Sequence, residues 1–194
     1  MEWVVLGLIV IAIFYAIGIY NKLVSLKNLF KRSFSQIDVQ LNRRYDLIPN
    51  LVETAKAFMS HERETLEAVV QARSQAMNAN QAAAGNPADS GAMQALMGAE
   101  TALTGAMGKF FAVMENYPEI KSNETMTNLM DELAETENKI ALARHSYNDS
   151  VMHYNTYREQ FPNTMIASRY GFKAADLFEV DDPEAKKPVK VSFD

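Results

Sequence analysis

From Trp3 to Tyr20 the chain reads WVVLGLIVIAIFYAIGIY, an apolar run without a single charge, preceded by Glu2 and followed by Asn21-Lys22. As a helix rising about 1.5 Å per residue it reaches roughly 27 Å, close to the ~30 Å hydrocarbon core of a bilayer, and the Lys22 stem covers the remainder. Trp3 and Tyr20 stand at its two ends, where interfacial aromatics gather. A cleaved signal peptide needs a basic start, a shorter apolar run and a small-x-small exit, whereas this segment has Glu2 at its start and GIYNK at its exit. The pattern therefore predicts an uncleaved transmembrane signal anchor. Lys22, Lys27, Lys31 and Arg32 follow the span and no basic side chain precedes it. By the positive-inside rule the N-terminus then lies outside the plasma (inner) membrane and the remaining chain in the cytoplasm.

Beyond the span, apolar or aromatic residues recur at Leu23, Leu26, Phe30, Phe34, Ile37, Leu41, Tyr45, Ile48 and Val52. Steps of three, four and four make an eleven-residue helical repeat, whose stripe stays nearly straight. With no Gly or Pro between Tyr20 and Ile48, the membrane helix is expected to run on into the first helix outside it. Pro49 predicts a kink or a fresh start over residues 48–50, and a second helix from about Leu51 to Met77 with Ser60 as a candidate cap. The alanine-rich stretch before Asn86-Pro87 is expected to fray, and Asn86-Pro87 itself to be a loop. From Gly91 to Tyr117 two heptad registers appear, Leu96, Leu103, Phe110 and Tyr117 beside Met93, Glu100, Met107 and Met114. Pro118 ends that helix. After Asn123 a fourth helix carries Leu133, Ile140, Tyr147, Tyr154 and Phe161 in heptad spacing until Pro162, and a short turn follows, with Asn163 as cap and Gly171 as a left-handed stop.

The expected fold is all-α: an N-terminal transmembrane helix continuous with an antiparallel four-helix bundle of long helices, and a short extended C-terminal tail. The chain divides into the anchor at 1–21, the bundle at 22–170 and the tail at 171–194. In the tail, Pro183 and Pro188 favour extended chain, and the alternating Val189, Val191 and Phe193 could add as a strand to a partner's sheet edge.

Composition narrows the chemistry. Nineteen basic against 24 acidic residues leave a net charge of −5, which disfavours nucleic acid as a partner. The absence of cysteine removes disulfides, thiolate metal sites and cysteine nucleophiles. The three histidines, His61, His145 and His153, lack metal-ligand spacing, and acidic pairs such as Asp131-Glu132 and Glu135-Glu137 read as a solvated helix face. No phosphate-cradling loop, dinucleotide fingerprint or nucleophile elbow occurs. No catalytic, cofactor-binding or metal-ligating residue is assigned.

Two polar features remain. Glu100 occupies a heptad seam, where a carboxylate is costly unless an arginine such as Arg43, Arg44, Arg73 or Arg144 meets it, unless the seam frays or the acid is functional. Asn148 and Asn155, each beside a seam tyrosine in SYNDSVMHYNTY, are expected to fix helix register by hydrogen bonding across helices.

The stretch NRRYDLIPNLVETAKAFMSHERETLEAVVQAR, with YNDSVMHYNTYREQFPNTMIA and the following GFKAADLFEV, resembles the LemA family of bacterial membrane proteins. The likeness covers the chain from its anchor to near residue 180. It implies a single-pass anchor with the N-terminus outside and a long-helix bundle, and it implies no catalytic residues. The reading that follows is a non-enzymatic, membrane-anchored scaffold that contacts the lipid bilayer through residues 3–20, forms homo-oligomers and engages other membrane proteins. An accessory subunit of a membrane enzyme such as a protease, or a signalling adaptor, is the alternative. The oligomer expectation rests on the helix at 91–117, whose Met97, Phe111 and Val113 spread beyond one apolar stripe. Ala12 and Ala16 add a small-xxx-small pair in the anchor.

Overall fold

The computed structural model describes residues 1–179 and is all-α. Four long helices, α1 (Glu2–Lys56), α2 (Arg63–Gly85), α3 (Ser90–Met114) and α5 (Glu124–Glu159), are joined with two short ones, α4 (Pro118–Lys121) and α6 (Asn163–Arg169). The alternating strand suggested at Val189 to Phe193 lies outside the described residues.

α1 is one uninterrupted helix of 55 residues, about 83 Å long at 1.5 Å per residue. Its N-terminal part is long and apolar enough to cross a membrane, and the side chains there, from Trp3 to Ile17, are largely exposed. The eleven-residue stripe then turns inward: Leu23, Phe30, Phe34, Ile37, Leu41, Tyr45, Ile48 and Val52 are buried and Leu26 is half-buried.

The fresh start expected over residues 48–50 is absent, and α1 runs on through Pro49. Proline lacks the N–H that would bind the carbonyl four residues earlier, which is that of Tyr45. Here Arg73 Nε of α2 donates to the Tyr45 carbonyl and takes the place of the missing donor. Arg73→Leu should therefore cost about 1–3 kcal/mol in denaturant unfolding, since it orphans a buried acceptor. In a Pro49→Ala background, where a backbone N–H is restored, that cost should shrink. Equal costs in both backgrounds would break the link between these two residues.

α1 consequently ends at Lys56, later than expected, and the second helix begins at Arg63 instead of Leu51. Ser60 is exposed in the connection and caps nothing, and the alanine-rich stretch is ordered helix with Asn80 and Ala83 buried. A hydrogen bond of 2.6 Å from Asn80 to Asp38 ties this end of α2 to α1. Asp89 caps α3 by accepting from Ala92 N at 2.9 Å, and Asn123 caps α5 by accepting from Met126 N at 3.0 Å.

The long helices alternate in direction. α5 runs antiparallel to α1, as the Ser33–Ser150 hydrogen bond of 3.0 Å and the Arg44–Glu137 pair of 3.0 Å fix in register. Phe30 packs on Tyr147 and Tyr154 with ring centroids at 6.3 and 5.1 Å. Both α3 seams are buried, apart from half-buried Tyr117. The α5 seam holds from Leu133 to Tyr154 but not to Phe161, which is 82% exposed. The reason is that α5 has ended at Glu159, so Phe161 no longer follows the helical repeat.

At the end of α6, Gly171 adopts φ +71°, as the left-handed stop requires. The Phe172 N–H reaches the Ala167 carbonyl at 2.9 Å and the Gly171 N–H that of Ser168 at 3.4 Å, a Schellman pattern. Asn163 does not cap α6. Its amide folds back to donate to the Tyr157 carbonyl at 2.9 Å and closes the end of α5 instead.

Candidate functional site

Two polar constructions lie inside the bundle. The first forms where α1, α3 and α5 come together. Arg44 and Tyr45 are neighbours on α1, and the eleven-residue stripe that buries Tyr45 carries Arg44 inward beside it. Glu100 comes from the α3 seam and Glu137 from α5. The Arg44 and Glu100 side chains are 7% and 2% exposed and form an ion pair. Arg44 also bonds Glu137 at 3.0 Å, while the Tyr45 hydroxyl donates to Glu100 Oε1 at 2.5 Å. The Arg44 guanidinium lies 5.8 Å from the centre of the Tyr45 ring.

Burial alone would lower the Arg44 pKa, but the carboxylates of Glu100 and Glu137 outweigh it, and the group stands above its ordinary value. Burial, reinforced by the Glu100 carboxylate, pushes the Tyr45 phenol far above its usual range. Near neutral pH the cluster thus presents a fixed cation and a fixed hydroxyl donor. A cavity of about 110 Å³ adjoins it, lined by Thr104, Ile140, Arg144 and Phe178. Arg44 Nε has no protein partner. The cavity is polar on this side and has room for water.

The second construction is a clasp. After Gly171 the chain runs extended over 172–179 and lies between α5 and α3. Asn155 accepts from the Ala175 N–H at 3.0 Å and donates to the Ala175 carbonyl at 2.9 Å. Asn148 treats Phe178 the same way, at 2.8 and 3.3 Å. Tyr154 and Tyr147 donate to the carbonyls of Lys173 and Asp176 at 2.8 and 3.1 Å. On the α3 side, Ser90 bonds Asp176 at 2.5 Å and the Glu179 N–H meets the Met97 sulfur at 3.3 Å.

Spacing explains why this works. Two helical turns, seven residues, advance about 10.5 Å, and three residues of extended chain advance about 10 Å. Each Tyr-Asn pair of α5 therefore meets the strap at a three-residue interval, at Lys173 and Asp176 for the tyrosines and at Ala175 and Phe178 for the asparagines. Ala175 and Phe178 are buried, so the strap is part of the core.

The asparagines do hold register by hydrogen bonding, but their partner is this strap and not another helix, because they stand beside the seam, facing the groove it occupies. Asn148→Ala with Asn155→Ala should cost about 1–3 kcal/mol for each site, as two backbone groups lose their partner at each. Hydrogen exchange at Ala175 and Phe178 should rise well before exchange in α1 does. Unchanged protection at both amides would contradict the clasp.

Of the arginines weighed for Glu100, the structure selects Arg44. Arg43 is exposed, Arg73 serves the Tyr45 carbonyl and Arg144 lines the cavity. His61, His145 and His153 are all exposed. Among the described residues no group of His, Asp and Glu converges as metal ligands would. Met97, Phe111 and Val113 of α3 are half-buried against the bundle, and the strap covers Met97. The strap contacts were not deducible from α5 alone, although the matched seven-residue and three-residue spacings were available as a signal.

Magnetosome proteins MamQ 1 and MamQ 2 of Paramagnetospirillum magneticum are 28% identical to the chain over 188 residues, and the matches cover 88% of this chain and 68% of each relative. Magnetosome protein MamQ of Magnetospirillum gryphiswaldense is 26% identical with the same coverage. None of these names states a reaction. The LemA family model matches residues 33–193, which take in Arg44, Glu100, Glu137 and both Tyr-Asn pairs together with the strap they hold, and the chain belongs to the LemA family.

Proposed function

We propose that the protein is a non-enzymatic scaffold of the plasma membrane, anchored by residues 1–21, with its bundle in the cytoplasm, where it self-associates and engages other membrane proteins. The bundle unit begins at residue 22 and takes in the strap at 172–179. The observation that carries this reading is the unbroken α1, which makes the anchor and the bundle's central helix a single rod. A rod of this kind holds a binding surface at a fixed height and angle above the bilayer. Arg44, Glu100 and Tyr45 engage one another in the core, in keeping with a structural role.

Orientation follows from Lys22, Lys27, Lys31 and Arg32. Protease added to intact spheroplasts should leave epitopes beyond residue 60 whole, and their rapid loss would reverse the orientation. Self-association is supported by the outer face of α1 and α5, where Val39 and Leu142 are 61% and 71% exposed beside a groove lined also by Ser35, Lys139 and Ala143. A second copy anchored in the same membrane plane is the nearest apolar cover. Light scattering in mild detergent should give a defined multimer that falls to monomer with Val39→Lys and Leu142→Lys. A monomer of the unaltered chain at micromolar concentration would end the self-association reading.

A further inference from the structure

The corner that follows α5 exposes more apolar surface than a soluble bundle end requires: Phe161, Met165 and Tyr170 are 82%, 61% and 62% exposed. α6 fixes where these side chains sit. It packs along α1 at the end of the apolar run, where Ile19 is 4% exposed, and the Tyr20 ring meets Tyr170 at 5.0 Å and Phe172 at 5.5 Å. Tyr20 is the residue at which the span meets the interface, so the corner lies at that same depth. The charges around it are mainly basic: Arg169, Lys173 and Lys22 are exposed, and the nearby Glu159 is paired with Arg158 at 2.7 Å.

We propose that the corner at 161–170 is a second membrane contact, seated in the headgroup–acyl boundary of the leaflet from which α1 emerges. Phe161, Met165 and Tyr170 enter the acyl edge, while Arg169 and Lys173 meet lipid phosphates, as interfacial amphipathic elements do. The partner is the lipid surface itself. A span alone leaves the rod free to tilt in the bilayer in any direction, whereas a second contact at the interface restrains that tilt. The corner thereby sets which side of the bundle leans toward the bilayer.

This inference rests on the reading of residues 3–20 as a membrane span, and one set of measurements separates the two. The chain has one tryptophan, Trp3, in the anchor. The full chain is placed in phosphatidylcholine–phosphatidylglycerol vesicles with brominated or plain acyl chains. The unaltered chain then reports the anchor through Trp3. In a Trp3→Phe background, Phe161→Trp reports the corner, Met165→Trp repeats it on α6, and Lys121→Trp at the far end of the bundle serves as reference. The corner indoles should emit to the blue and lose most of their fluorescence to bromine, as Trp3 does, while the indole at 121 is unaffected. Trp3 quenched with both corner indoles behaving like the one at 121 would overturn the corner and leave the anchor standing. Trp3 unquenched would overturn the anchor, and the corner with it.

Discussion

Arg44→Met should lower the unfolding free energy of the full chain in mild detergent by about 3–5 kcal/mol, because removing one partner of a buried ion pair leaves the other uncompensated. The stranded group is Glu100, 2% exposed, which keeps the Tyr45 hydroxyl as a donor but loses its ion-pair partner. Glu137 suffers less, since its side chain is 47% exposed and water replaces the lost guanidinium. The consequence is specific. Glu100→Leu added to Arg44→Met should recover most of the loss, as an apolar pair of similar volume often matches a buried ion pair in stability. A loss below about 1 kcal/mol for the single substitution, or no recovery in the double, would mean that the pair is not buried as described.

Ile140→Asp should cost several kcal/mol by placing a charge in the α5 seam. Ile140 is 4% exposed and faces α1 and the strap beside Phe178. Arg144 lines the same cavity and could draw the new carboxylate toward it, which would trim the cost but would not remove it. Asp131→Asn, on the exposed face of the same helix, should change stability by less than about 0.5 kcal/mol. Parallel thermal melts compare the two directly, and equal shifts would refute the assigned faces of α5.

Periodicity made the seams legible because burial repeats with the helix: the stripe from Leu23 to Val52 and both α3 registers lie where their spacing puts them. Local backbone chemistry was equally readable at Gly171, whose positive φ only the stop of α6 requires. Pro49 makes no fresh start because its effect depends on a residue far along the chain. The donor that rescues the Tyr45 carbonyl is Arg73, on another helix, and no local pattern records it. Glu100 announced that it needed a cation, but four arginines were eligible, and only the relative rotation of α1 and α3 selects Arg44. The Tyr-Asn pairs showed their period but not their partner, because an extended strap has no periodicity of its own to advertise.

The strap also changes how the apolar breadth of α3 is understood. From its sequence that helix asks for cover on more than one side, and a second copy was the expected source. Part of that cover comes from the chain itself, through the contact of Glu179 with Met97 and the burial of Phe178. Exposed apolar side chains that remain on the long helices include Val39 of α1 and Leu142 of α5, on a face that the heptad pattern of α3 did not indicate.

The central claim, that the anchor and the bundle share one rigid helix, is open to a single distance measurement. The chain contains no cysteine, so Leu6→Cys and Val39→Cys, both at exposed positions on α1, give two unique sites for nitroxide labels. Thirty-three residues of continuous helix separate them by about 50 Å. Pulsed dipolar spectroscopy of the full chain in lipid nanodiscs should give one narrow distribution near that distance. A broad distribution, or a mean shorter by more than about two helical turns (~11 Å), would place a joint between membrane and bundle and contradict the account.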